Sequence, residues 1–211
     1  MIIAVDGPTA SGKGTIARAL ARHFGLPHLD TGLLYRAVGW QVTANGGDPD
    51  CAEDALAGTL FPDDLLANPE LRSEATGGLA SRVSVHPAVR QALYERQRAF
   101  ATQPGGAVLD GRDIGTVIAP EAEVKLFVTA STAARAERRY AEMRESGRQV
   151  SLPAIVADLE MRDERDRNRA QAPLVVAPGA FVLDTTDLSR DDAVAQAVAV
   201  VVQVTGQTPC P

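Results

Sequence analysis

The stretch Gly7-Pro8-Thr9-Ala10-Ser11-Gly12-Lys13-Gly14-Thr15 constrains this chain more than any other, because of what stands on either side of it. Before it, Ile2, Ile3, Ala4 and Val5 form a short apolar run, the pattern of a strand buried on both faces of a parallel sheet. After it the spacing turns helical. Ile16, Ala17, Leu20 and Phe24 share one face, Arg18 and Arg22 the other, and Gly25 and Pro27 supply the stop. A G-x-x-x-x-G-K turn between a buried strand and a helix aims backbone N–H groups at an anion. The helix N-terminus adds positive potential and Lys13 a point charge, so Gly7 to Thr15 are predicted to hold nucleotide phosphates. Gly14 stands where Ser or Thr commonly meets Mg²⁺. Thr15, one residue later, is the metal candidate, directly or through water.

Further apolar runs place strands near 26–29, 107–110, 124–128 and 180–184, alternating with helices. This predicts an α/β fold: a three-layer parallel sheet of about five strands with helices on both faces, in a single domain over 1–211. A helix from 31 to about 43, capped by Asp30 or Thr31, carries Leu34, Val38 and Val42 inward, with Trp40 as packing. A helix opening at Pro87 carries Val89, Leu93 and Phe100 on one face and Arg90, Arg96 and Arg98 on the opposite side. A helix from about 131 bears Arg135, Arg138 and Arg139 and is interrupted at Gly147. Another runs from about 151 to 170, and Ser189 caps a terminal helix. Between 50 and 85 only a short helix near 50–57 is legible. Pro62, Asn68-Pro69 and Gly77-Gly78 break the rest, which reads as an excursion from the core.

The formal net charge of −6 and an aromatic content of 4% argue against a nucleic-acid partner, which would need a basic surface and stacking rings. The basic residues are 19 arginines and two lysines, Lys13 and Lys125. Genomic base composition accounts for such a bias, and so does the use of arginine's planar fork to hold phosphate. Cys51 and Cys210 are too far apart to suggest a disulfide framework or a metal-binding spacing, which fits a reducing compartment. With no basic leader and no apolar stretch of membrane-spanning length, a soluble cytoplasmic protein without membrane partners is expected.

Asp110-Gly111-Arg112-Asp113 follows a buried strand and so falls at the sheet edge where ligands of parallel sheets bind. It is either a turn closed by its own salt bridge or a clamp in which Arg112 grips a phosphate while the acids hold Mg²⁺, an arginine or a base edge. Arg162, Asp166 and Arg169 fall at i, i+4 and i+7 on one helical face. Such a run is either a solvated, ion-paired face or the wall of a site beside a lid. Arg135, Arg138 and Arg139 divide in the same way between plain surface and a lid that brings arginines onto a transferred phosphate.

Taken together, the G-K-G-T ending, Leu29-Asp30-Thr31-Gly32 with Tyr35-Arg36, the Asp110 to Thr116 turn and the Arg162 to Ala170 segment resemble bacterial cytidylate kinases. The resemblance spans residues 1 to about 190 and is weakest over 45–80. It implies transfer of the γ-phosphoryl group of ATP, with Mg²⁺, to CMP or dCMP. It implies that Thr31, Tyr35, Arg36 and Arg112 surround the acceptor phosphate and nearby sugar. By the same resemblance Ser81, Arg90, Asp113 and Arg169 read cytosine, and Arg162 with Asp166 meets the ribose. Lys13, Arg112, Asp110 and Arg139 are then the catalytic candidates, and a monomer with a mobile NMP-binding lobe (31–102) and lid (138–152) is expected. A P-loop kinase of another small acceptor, such as UMP, stays open. A GTP-binding switch does not, because the N-K-x-D guanine reader is missing and Lys125 sits in Val124-Lys125-Leu126-Phe127. His23, His28 and His86 have no triad-like context and receive no role.

Overall fold

The strand before the glycine-rich turn, β1 (Ile2–Asp6), lies at the middle of a five-stranded sheet in the computed structural model, which describes residues 1–145 and 147–207. Ser146, inside the expected lid, and Cys210 lie outside the described residues, and Cys51 is a free thiol. The strand order is β2-β3-β1-β4-β5, with β2 at His28–Asp30, β3 at Ala107–Gly111, β4 at Val124–Thr129 and β5 at Phe181–Asp184. Every pairing is parallel. Ile2 to Asp6 stand opposite Ala107 to Gly111 on one side, and Ile3 to Asp6 opposite Val124 to Phe127 on the other.

The alternation of a strand's side chains explains the layers. Ile3 and Val5 face α1 (Lys13–Phe24) and the last helix, α8 (Arg190–Thr205), in a core with Ile16, Leu20, Val128 and Val201. Ala4 and Leu109 face the other way, onto α5 (Pro87–Ala101) and a short π-helical turn at Ile114–Ile118. That turn has no clear sequence signal. Asp6 holds its start: its two carboxylate oxygens accept the N–H groups of Ile114 and Gly115, each at 2.8 Å. Burial pushes the Asp6 carboxyl up to about 6 despite these bonds.

A separate apolar cluster builds the part beyond the sheet. α2 (Thr31–Ala44), capped by Asp30 through a 3.2 Å bond from Leu33 N, turns Leu34, Val38 and Val42 toward α3 (Ala52–Ala57) and Leu71, Val83 and Leu93. The segment that reads as an excursion holds two 3₁₀ turns, Asp63–Ala67 and Pro69–Arg72, followed by α4 (Glu74–Val83). Ser73 caps α4 by accepting from Thr76 N. A fourth apolar cluster joins α6 (Thr132–Glu145) to α7 (Leu152–Asn168) through Ala136, Ile155 and Leu159. No helix among the described residues is long and apolar enough to cross a membrane.

Two expectations about arginines fail here. Arg90 does not lie on the outer side of α5. It is buried against Asp113, and its guanidinium stands 5.6 Å over the Tyr35 ring. Arg135 is neither plain surface nor a free lid residue. Its fork closes on Asp163 of α7 at 2.6 and 3.2 Å, with both side chains 3% exposed. In both cases a charged group sits inside because an opposite charge from a distant part of the chain meets it there.

Candidate active site

Gly12 closes the phosphate loop in a left-handed conformation (φ 89°) and caps α1 without any side-chain hydrogen bond, so the helix start faces outward uncapped. Ala10 also has positive φ, at 61°. This is the geometry of an anion nest at a helix N-terminus. Lys13 bends back so that Nζ donates to Pro8 O at 3.2 Å. Burial, with Arg112 nearby, brings its ammonium down to about 8.

Two cavities open from this loop. One, of about 240 Å³, lies between the sheet edge, α2, α4 and α7. Every residue predicted to bind the acceptor lines it: Thr31, Tyr35, Arg36, Ser81, Arg90, Arg112, Asp113, Arg162, Asp166 and Arg169, together with Asp110. The other, of about 630 Å³, lies on the far side of the loop and takes in Ala10 to Thr15. Further wall comes from Arg138 and Glu142 on α6 and from Thr185, Leu188, Ser189 and Arg190 after β5. The two cavities share Ala10, Lys13, Gly14 and Arg139. Gly7 and Pro8 line neither, and Thr15 lines the larger one alone.

The turn at Asp110 to Asp113 is not closed by its own salt bridge. Arg112 leaves it to meet Asp166 on α7 at 2.7 Å and to donate from Nη2 to the Thr9 hydroxyl at 2.7 Å. Burial alone would raise the Asp166 carboxyl, but Arg112 and Arg169 outweigh it and hold it below the ordinary carboxylate range. Asp113 turns the other way, to Arg90, with Arg169 Nη2 at 3.8 Å from its other oxygen. That Arg169 nitrogen is buried without a hydrogen-bond partner, while Nε of the same residue donates to Ala172 O at 2.6 Å. Burial, and Arg90 beside it, lower the Arg169 pKa. Ser81 accepts from Arg165 at 2.7 Å. The predicted helical face is therefore a wall of the cavity, with Arg162 and Asp166 buried on α7 and Arg169 at the residue that ends it.

The sequence conceals Glu74, which lines neither cavity but ties together two arginines that line the smaller one. From the start of α4 its carboxylate meets Arg139 of α6, with Nε at 2.7 Å, and Arg162 of α7, with Nη2 at 2.9 Å. Gly77, one turn on, leaves room for two guanidinium groups: a Cβ there would stand 2.9 Å from Arg36 and 3.0 Å from Arg162. Arg36 donates to Leu71 O and Ser73 O at 2.8 and 2.7 Å, and burial brings it down to about 10. Glu74 lies in the one stretch without a periodic pattern, so only its carboxylate charge hinted at it. Arg138 is tied to Thr185, accepting at 3.0 Å, and so belongs to the larger cavity's wall, not to a free lid. His28, given no role above, lies 2.7 Å from Asp110.

A phosphate loop at the C-terminal edge of a parallel sheet, between two cavities that meet at a lysine and an arginine, defines a P-loop phosphotransferase. Residues 3–203 match the cytidylate kinase family, and the chain belongs to that family. A cytidylate kinase of Cereibacter sphaeroides is 57% identical over 198 residues, covering 93% of this chain and 92% of its own. One from Azorhizobium caulinodans is 53% identical over 208 residues, covering 98% and 100%. An uncharacterized protein of Eubacterium ventriosum shares the fold, with a TM-score of 0.56 at 13% identity over 98% of this chain and 99% of its own.

Proposed function

We propose that this kinase transfers the γ-phosphoryl group of ATP to CMP or dCMP, releasing ADP and CDP or dCDP. The observation that carries the reading is the seam where the two cavities meet, at Ala10, Lys13, Gly14 and Arg139. A donor in the larger cavity and an acceptor in the smaller one would bring their phosphates together there. Phosphoryl transfer needs little covalent help from a protein. It needs two oxygens and a phosphorus held in line and the charge between them neutralised.

In this reading the loop from Gly7 to Thr15 cradles the ATP phosphates, and Lys13 and Arg139 neutralise charge on the moving group. Arg112, Arg36, Thr31 and Tyr35 hold the acceptor phosphate and its sugar. Arg162 and Asp166 take the ribose. Cytosine lies toward Ser81, Arg90, Asp113 and Arg169, where the Arg169 nitrogen that lacks a hydrogen-bond partner would meet a carbonyl acceptor such as the base presents. Among the described residues no three His, Cys, Asp or Glu side chains group to hold a metal. Mg²⁺ would arrive on ATP, held by the Thr15 hydroxyl from the larger cavity and the Asp110 carboxylate from the smaller, since Mg²⁺ commonly takes one or two protein oxygens besides phosphates and water. Bound there, the ion would neutralise phosphate charge.

The cluster around α2 to α5 and the α6–α7 pair, each with its own apolar packing, are the proposed acceptor lobe (31–102) and lid (138–152). We place it in the cytoplasm as a monomer. Initial rates with ATP and CMP varied together test the reading. Intersecting double-reciprocal lines are expected for a direct transfer, whereas parallel lines would require a phosphorylated enzyme and exclude it.

A further inference from the structure

The geometry points to His28 as a positioning residue that aims Asp110 at the phosphate loop, an inference that rests on Asp110 acting in the proposed transfer. Asp110, the last residue but one of β3, is held at several points. Its backbone is paired on both sides, to Val5 of β1 and Asp30 of β2, and its carbonyl accepts from the Thr31 hydroxyl at 2.8 Å. Its side chain, 5% exposed, has one oxygen, Oδ1, 2.7 Å from His28 Nε2. An ionised carboxylate only accepts, so Nε2 carries the hydrogen. The second oxygen, Oδ2, faces the loop: a Cβ on Gly14 would lie 3.5 Å from it.

Without His28 this carboxylate would have strong alternatives. Lys13 and Arg112 are the nearby cations; Arg112 already meets Asp166, and a pair between Asp110 and Lys13 would quench a charge reserved for phosphates. A hydrogen bond that fixes Oδ1 holds Oδ2 toward the loop, while Lys13 stays on Pro8 O and Arg112 on Asp166. His28 can do this because β2 sits beside β3 at the sheet edge with His28 in register with Val108, two residues before Asp110. His28 touches no reacting atom in this arrangement and acts only through Asp110.

The test is a set of variants read by kcat, KM and melting temperature. Gln places its amide nitrogen about where Nε2 lies, so His28→Gln should keep kcat within about threefold of the parent, whereas His28→Leu should lower kcat by about 10- to 100-fold. The KM for CMP and the melting temperature should change little in both. In the Asp110→Asn background, adding His28→Leu should cost less than about twofold, because the group it positions has gone. Equal losses in the Gln and Leu variants, or a His28→Leu cost that is undiminished in the Asn background, would overturn the inference. So would a lowered melting temperature in His28→Leu with kcat kept. If Asp110→Asn alone retains full kcat, it is the reading of Asp110 that fails, and this outcome separates the two.

Discussion

Replacing Arg135 by Ala should destabilise the protein by about 4 kcal/mol, although no ligand touches this residue in the proposed mechanism. Arg135 and Asp163 form a two-point pair, at 2.6 and 3.2 Å, with each side chain 3% exposed. Arg135 also donates to Thr9 O, Ala130 O and the Thr132 hydroxyl, each at 3.1 Å. The truncation leaves Asp163 with Arg167 alone, which is 61% exposed and 3.3 Å away. Removing one partner of a buried pair costs about 3–5 kcal/mol. Two carbonyls lose a donor as well, and water entering the space left by the side chain recovers part of that, which places the total near the middle of the range. For a chain of this length the corresponding fall in melting temperature is about 8–16 °C. Calorimetry of Arg135→Ala against the parent measures it, and a fall below about 3 °C would refute the argument. A second variant isolates the cause: Arg135→Met with Asp163→Leu removes both charges and should recover most of the loss.

Arg112→Ala should lower kcat/KM for CMP by about 10²- to 10³-fold with ATP binding largely kept, since Arg112 lines only the smaller cavity; near-normal kinetics would show the clamp misassigned. Lys13, brought down to about 8 in the free protein, should lose its proton as the pH passes that value, so kcat/KM for ATP should fall above about pH 8. A profile flat to pH 10 would contradict this. Gly7→Ala should prevent stable folding, because its Cβ would stand 2.0 Å from Val128 O at a φ of 153°. Gly46→Ala, with positive φ but nothing within 4 Å, should cost only about 1 kcal/mol, and comparing the two melting curves separates close contact from backbone strain.

The sheet was legible in the sequence wherever burial on both faces produced a short apolar run, as in Ile2 to Val5 and Ala107 to Leu109. β2 slid from 26–29 to His28–Asp30 because its ends are polar and its pairing, not its composition, sets its limits. α4 escaped because Gly77-Gly78 reads as a breaker. In the structure Gly77 is where two guanidinium groups approach the helix, so the demands of the site override helix propensity. The expected acceptor-site residues emerged through a resemblance of motifs, and they line the smaller cavity. Which charge meets which was not legible. Arg90 with Asp113, Arg112 with Asp166 and Glu74 with Arg139 are 23, 54 and 65 residues apart, so no local spacing encodes them. The wall supplied by Thr185, Leu188, Ser189 and Arg190 could have been expected, since it follows β5 at the sheet edge where ligands bind.

The central claim is that the smaller cavity is built for cytosine, whose amino group can donate to the Asp113 carboxylate where uracil presents a carbonyl. The most direct measurement is kcat/KM across CMP, dCMP, UMP, AMP and GMP at saturating ATP. A pocket whose buried donors and acceptors go unpaired with the wrong base should favour CMP or dCMP over UMP by about 10²- to 10⁴-fold. Equal or better turnover of UMP or AMP would contradict it.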